Sequence, residues 1–308
     1  MKIGYLFSGQ GQQFDGMGQD LYQTEPSYRA VVDQASDILG HDLANESVFD
    51  DPDNVQTSIV TMEAGIAAIL ADELPSIAGM TGLSLGEYSA LLAANAWSLE
   101  TTLPLVRDRA QMMAMAGEQE PGTMAAVLKT NAQQVEAVCS ELRQAGHRVY
   151  PANYNTDHQI VIGGDEAGVQ LATEQLHNAG IKRIVPLKMT VASHTPLMKL
   201  ASVQLGQRLT DVAVKQPTTA VFSNTTGQAF DQDSIKQTLA HQLIQPTRFD
   251  QCLHQLADLH CDVLIEIGPG TALTKFAKKT LPDAKVVNVE SVETLDALRR
   301  VMKEVAYG

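Results

Sequence analysis

Gly82-Leu83-Ser84-Leu85-Gly86 has the spacing G-x-S-x-G, and its surroundings suit a serine that acts as a nucleophile. The apolar residues 77–82 read as a short buried strand ahead of it, and residues 87–94 read as a helix behind it. Glycines on both sides permit a sharp strand-to-helix turn that would lift the Ser84 hydroxyl clear of a sheet, at the positive end of the helix that follows. The backbone N–H of Leu85 would then help hold a developing oxyanion. The plainer reading is a structural turn in which Ser84 only caps the helix.

Such a serine needs a base within hydrogen-bond reach, and the chain offers eight histidines. His41 lies in a polar loop, His147 ahead of a strand and His158 in a hairpin turn, while His177, His241, His254 and His260 fall in mostly polar helical stretches. His194 is different. It follows the strand-like residues 187–191 and precedes Thr195-Pro196-Leu197-Met198, a helix start with proline in its first turn. A histidine at a strand end, downstream of the serine, has the chain order of an α/β-hydrolase-like triad, although a solvated loop histidine would read the same way. No Asp or Glu stands out as a third member, which leaves a backbone carbonyl to hold the imidazole.

A third group carries charge. On the helix expected over 102–116, Leu105, Arg109, Met112 and Ala116 share one face, so Arg109 lies on the apolar stripe and Arg107 points away from it. A guanidinium in that position requires an anion, because a buried unpaired charge costs several kcal/mol. The anion is either an internal carboxylate, made unnecessary if the side chain snorkels to water, or a substrate carboxylate bound bidentately.

The elements that must position these residues follow a recognisable order. The chain opens with a strand over 3–7 and runs into Ser8-Gly9-Gln10-Gly11-Gln12-Gln13, a tight glycine turn with exposed amides. A dinucleotide-binding reading fails because Phe14 stands where G-x-G-x-x-G needs its third glycine. Helical patterns dominate through Leu74. The period then gives strand 124–128, helix 131–144, strand 149–155, a turn at 156–158, strand 159–162, helix 166–179 and strand 183–187, a β-α-β-β-α-β unit of the ferredoxin-like kind. The fold class expected is α/β: an α/β-hydrolase-like large domain, residues 1–122 and 190–308, with an inserted ferredoxin-like small domain, 123–189. The large domain closes with strand 263–267, the turn Gly268-Pro269-Gly270, a helix through Lys279 and a strand over 284–289.

Composition narrows the class further. At 308 residues the chain can bury a substantial core, and 44% hydrophobic residues fit a globular enzyme. The apolar runs are read as too short to span a bilayer and the N-terminus as unlike a signal peptide, so a cytoplasmic location is expected. The three cysteines, Cys139, Cys252 and Cys261, form no C-x-x-C and suggest neither a disulfide framework nor a zinc site. A net charge of -14 disfavours binding to nucleic acid or an anionic membrane.

Taken in chain order, Gly9-Gln10-Gly11-Gln12-Gln13, Gly82 to Ser89, Arg107 to Met113, Ser193-His194 and Ile265 to Gly270 resemble the malonyl-CoA:acyl carrier protein transacylases of type II fatty acid synthesis, and the resemblance covers essentially the whole chain. It implies Ser84 as nucleophile, His194 as base, Arg109 as malonate clamp, and the amides of Gln10 and Leu85 as oxyanion hole; Gln56 and Ser193 join the substrate-binding set. It also implies a main-chain carbonyl near Arg248 to orient the imidazole. The substrates implied are malonyl-CoA and acyl carrier protein, with no cofactor beyond the coenzyme A thioester itself, and a monomer is expected. Carrier docking is expected on Lys275, Lys278 and Lys279, with Lys182 and Arg183 as further candidates.

Three residues depart from the family pattern. Leu83 replaces the usual histidine before the nucleophile, Ser8 replaces a usual proline, and Ser193 stands where malonyl-selective relatives carry phenylalanine. The serine resembles domains that accept methylmalonyl groups, which implies weak discrimination against an α-methyl. Competing readings are a serine hydrolase using the same constellation, a non-catalytic module whose glycine loops serve as phosphate nests, and a transacylase subunit of a malonate decarboxylase or polyketide system.

Overall fold

The computed structural model describes residues 1–74, 77–189 and 191–307, and it contains two five-stranded sheets. The first has the order β10-β9-β1-β2-β7, built from β1 (Ile3–Phe7), β2 (Gly79–Gly82), β7 (Val221–Phe222), β9 (Val263–Ile267) and β10 (Lys285–Val289). All four pairings are parallel. Every residue of β1 and of β9 is buried, as expected of strands covered on both faces. From β1 the chain moves to β2 on one side, while β9 returns on the other. Ligands of open parallel sheets sit outside the strand carboxyl ends at such a reversal. Ser8, Leu83 and Gly268 leave the sheet at that edge, after β1, β2 and β9.

The second sheet has the order β6-β3-β5-β4-β8, from β3 (Thr123–Leu128), β4 (Val149–Thr156), β5 (Gln159–Gly164), β6 (Arg183–Pro186) and β8 (Thr247–Arg248). Its first four strands alternate with helices Ala132–Gln144 and Glu166–Asn178 and pair antiparallel, which is the ferredoxin-like arrangement read from the periodicity. Val127, Val135, Cys139, Ile160, Ile162 and Leu176 fill its core. The fifth strand was not expected. β8 comes from far along the chain and pairs parallel with β4, with Asn153 donating a side-chain hydrogen bond to Thr247 Oγ1 at 2.9 Å. Gly122 and Ala192, where the chain enters and leaves this unit, touch so closely that a Cβ on Gly122 would lie 2.7 Å from that of Ala192.

Two expectations need correction. Over its described residues the stretch 187–191 is not a strand: Leu187 N reaches Met124 O at 2.9 Å, Met189 N turns back to Leu187 O at 2.9 Å, and Thr190 lies outside the described residues. The apolar runs are also longer than the reading allowed. The segment Pro52–Glu73 is long and apolar enough by length and composition to cross a membrane, with 67% of that window buried inside the protein. It is a core helix here, packed on helices Pro26–Leu39, Gly86–Ala93 and Leu99–Gln119, and it buries Gln56, Ser58, Thr61 and Glu63 along with its aliphatic residues. Those polar residues interrupt the sequence run and disguise its length.

Candidate active site

The turn between β2 and helix Gly86–Ala93 is held by steric necessity. Ser84 has φ 53°, a left-handed conformation that costs a non-glycine residue on the order of 1–3 kcal/mol and persists only where its surroundings enforce it. A Cβ on Gly82 would sit 2.0 Å from the Gly86 carbonyl carbon, and one on Gly86 would sit 2.2 Å from Phe7 O. The two glycines of the motif therefore let β2, the helix and the end of β1 meet. Ser84 does not cap the helix: the helix start makes no side-chain capping bond, and Ser84 Oγ instead accepts a hydrogen bond from Arg109 Nη2 at 3.1 Å.

Arg109 projects from helix Leu99–Gln119 and is 1% exposed. Its Nη1 donates to Gln56 Oε1 at 2.7 Å and its Nη2 also donates to Gln242 Oε1 at 3.2 Å, while the Tyr88 ring centroid lies 5.3 Å from its central carbon. Burial lowers its pKa. Among the described residues no carboxylate makes an ion pair with it, so neither an internal salt bridge nor snorkelling accounts for the charge. Arg107, as expected, faces outward, 3.6 Å from Asp108.

His194 also sits at positive φ, 64°, and is 3% exposed. Its backbone N–H donates to Leu243 O and its Nδ1 lies 2.8 Å from Gln242 O. A carbonyl only accepts, so Nδ1 carries the proton and Nε2 keeps its lone pair. Burial pushes the imidazole down to about 4, with Arg109 adding to the effect and the Gln242 carbonyl opposing it. The ring is thus neutral at physiological pH. The orienting carbonyl is that of Gln242, not one near Arg248. Helix Ile235–Gln242 ends at that residue, and terminal helical carbonyls lack intrahelical partners. Arg248 instead lies over the Tyr154 ring, 3.8 Å from its centroid.

Ser84, His194, Arg109, Gln10, Leu85 and Ser193 line one cavity of about 150 Å³, closed on its far side by Met124, Asn155 and Val161 of the second sheet. The backbone amides of Gln10 and Leu85 donate to no acceptor among the described residues. Gln56 stands behind the cavity wall and donates to Gln10 Oε1 at 3.2 Å. A groove of about 290 Å³ shares Gly9, Gln10, Leu83 and Asn155 with the cavity and runs out to Ala272, Leu273 and Phe276. Lys275, Lys278 and Lys279 are exposed on helix Ala272–Thr280, which carries those residues, and Lys182 and Arg183 are exposed at the start of β6. A larger groove of about 610 Å³, lined by Ala64, Leu70, Leu74 and Leu92, holds none of the candidate residues.

Two members were missed. Gln242 touches four others: besides Arg109 and His194, its Nε2 donates to Ser84 O at 2.9 Å and to Glu87 Oε2. Glu87, buried, also accepts from Asn224 N. Burial pushes its carboxyl up to about 7, against the hydrogen bonds from Asn224, Gln242 and Ser223 and the charge of Arg109. The signal for Glu87 was its place just after the motif; a glutamine in a polar helical stretch gave none for Gln242.

Residues 4–306 match the acyl transferase domain family. The chain is 33% identical to the malonyl CoA-acyl carrier protein transacylase of Bacillus subtilis (strain 168), covering 98% of both. MCAT from Streptococcus pneumoniae superposes with a TM-score of 0.91 at 36% identity, over 96% of this chain and 99% of that one. The PlMCAT–AntF complex, a malonyl-transacylase with its type II PKS acyl-carrier protein, gives 0.90 at 29% identity, over 96% and 98%. With a family match running nearly end to end and a relative of this identity over almost its whole length, the chain belongs to the acyl transferase domain family, among the malonyl CoA-acyl carrier protein transacylases.

Proposed function

We propose that the chain moves a malonyl group from malonyl-CoA to the phosphopantetheine thiol of an acyl carrier protein through an ester on Ser84. The observation that carries this is the buried Arg109 guanidinium, which makes no ion pair with a carboxylate among the described residues and lies 3.1 Å from the Ser84 hydroxyl. A general esterase has no use for that charge, whereas an acyl group ending in a carboxylate does.

His194 Nε2 takes the Ser84 proton as Oγ bonds to the thioester carbon, and the oxyanion is met by the amides of Gln10 and Leu85. The C–S bond breaks, and the departing thiolate takes the proton from the imidazolium. The carrier's thiol then gives its proton to Nε2 and attacks the ester, and Ser84 leaves as the hydroxyl. No step exchanges electrons, so the coenzyme A thioester suffices without a further cofactor. Ser193 and Gln56 shape the acyl end, Ser193 on the cavity wall and Gln56 through Arg109 and Gln10.

We assign the catalytic residues to a large domain of residues 1–122 and 190–308, with 123–189 as the small domain across the cleft; the two separate sheets and the Gly122–Ala192 crossing support that division. The exposed lysines beside the groove suit an acidic carrier. The net charge of -14 argues against nucleic acid and anionic membranes as partners, and a cytoplasmic monomer is the reading that fits. Intact mass spectrometry after incubation with malonyl-CoA tests the core of it. A malonyl adduct on the wild type that is lost in Ser84→Ala is expected; an unmodified wild type would overturn the assignment.

A further inference from the structure

We propose that Glu87 is a positioning residue for the malonate clamp: its carboxylate fixes which way the Gln242 side-chain amide faces, and that amide holds Arg109 against Ser84. The inference rests on the reading of Arg109 as the clamp given above. It follows from what each neighbour of Gln242 is able to do. Arg109 Nη2 only donates, and it meets Oε1 at 3.2 Å. Ser84 O only accepts, and it meets Nε2 at 2.9 Å. An ionised Glu87 likewise only accepts, so with Oε2 on Nε2 the amide has one orientation.

The other end of Glu87 is equally constrained. Its Oε1 accepts from the Asn224 backbone N–H, which cannot turn, and Asn224 Nδ2 is tied to Gly82 O at 2.6 Å. In Glu87→Gln the oxygen must therefore stay on Asn224, and the new NH₂ faces the Gln242 NH₂. Relief comes only if Gln242 flips, which turns its NH₂ onto Arg109 and its oxygen onto Ser84 O, donor against donor and acceptor against acceptor. A protonated Glu87 has a donor of its own and permits the same flip.

The groups that face Glu87 are few. Asn224 and Ser223 approach from the segment after β7, Gln242 from its helix, Cys252 from helix Phe249–Asp258, and Tyr88 from its own helix. Burial raises the Cys252 thiol and pushes the Tyr88 hydroxyl up to about 12, so both stay neutral, and Arg109 is the one charged neighbour among the described residues. Since burial places the Glu87 carboxyl at about 7, the orientation should loosen as the pH falls through neutrality. That loosening should be felt by acyl groups that use the clamp and not by those that do not.

Single-turnover loading of malonyl-CoA and acetyl-CoA onto wild-type enzyme, followed by intact mass from about pH 5.5 to 8.5, tests this without any substitution. Malonyl loading should fall relative to acetyl loading below about pH 7, and a ratio constant with pH would overturn the proposal. In Glu87→Gln the malonyl-to-acetyl ratio should drop at least about tenfold at pH 8 and lose its pH dependence, with the loss in the apparent KM for malonyl-CoA more than in the loading rate. Equal losses for the two acyl groups would mark Glu87 as merely structural and also overturn the proposal. A wild type that gains acetyl but never malonyl would remove the clamp reading and this inference with it.

Discussion

Arg109 Nη2 donates to Ser84 Oγ at 3.1 Å, bringing helix Leu99–Gln119 against the turn that follows β2. A guanidinium so near a serine hydroxyl stabilises negative charge at two places: the hydroxyl oxygen as it loses its proton, and a carboxylate carried by the acyl group that replaces that proton. It also repels a proton on His194, whose pKa it lowers beyond the effect of burial. In the function proposed above, one cation would therefore act on nucleophile, base and substrate together.

Arg109→Ala should reduce kcat/KM for malonyl-CoA by about 150- to 5000-fold, the range expected when a buried charge pair of roughly 3–5 kcal/mol is broken. Transfer of uncharged acyl groups should rise or hold. Steady-state kinetics with malonyl-CoA and acetyl-CoA read the contrast, and an unaltered malonyl turnover would favour an esterase.

The imidazole gives a stability prediction whose sign is fixed by the depressed pKa. His194 moves from 6.5 to about 4 on folding, so its contribution is present above about pH 6.5 and is lost as the pH falls towards 4. His194→Gln, which can still donate to Gln242 O, should therefore lose less stability than the wild type between pH 7 and pH 4.5, by roughly 2 kcal/mol. Glu87 works in the opposite direction, its raised pKa contributing stability below 4.5 that disappears as the pH rises through about 7. Urea melts of both proteins at the two pH values provide the comparison.

Ser193 is 5% exposed on the cavity wall, where a small side chain leaves space beside the acyl group. The wild type should prefer malonyl-CoA over methylmalonyl-CoA by less than about a hundredfold, since one methyl is worth only about 1–3 kcal/mol of selection. Ser193→Phe should sharpen that preference. A larger wild-type ratio, or no change in the variant, would show that another wall sets the choice.

Reversing charge with Lys278→Glu and Lys279→Glu should raise KM for the carrier protein several-fold and flatten or reverse its rise with salt. Hydrolysis of the malonyl-enzyme should be untouched, because neither lysine lines the cavity. An unchanged KM for the carrier would move docking elsewhere.

The sequence was most legible where chemistry or period leaves a local trace. The β-α-β-β-α-β unit showed in its alternation, Ser84 in the two glycines that only a tight turn explains, and Arg109 in its place on an apolar stripe. What was lost is what depends on contacts across the chain. Gln242 carries no charge and sits in an ordinary amphipathic helix, so its role as the hub of the site arises only when that helix end reaches Ser84. The orienting carbonyl that the resemblance puts near Arg248 belongs instead to Gln242, where helix Ile235–Gln242 ends. β8, two residues long, has no period to read.

That short strand has a mechanical meaning. Thr247 follows closely on Gln242, so the ribbon that anchors the imidazole is stitched at its next few residues into the lobe that roofs the cleft. A displacement of that lobe would pull on the segment whose Gln242 carbonyl holds the His194 ring, so the span of the cleft and the direction of Nε2 are mechanically linked.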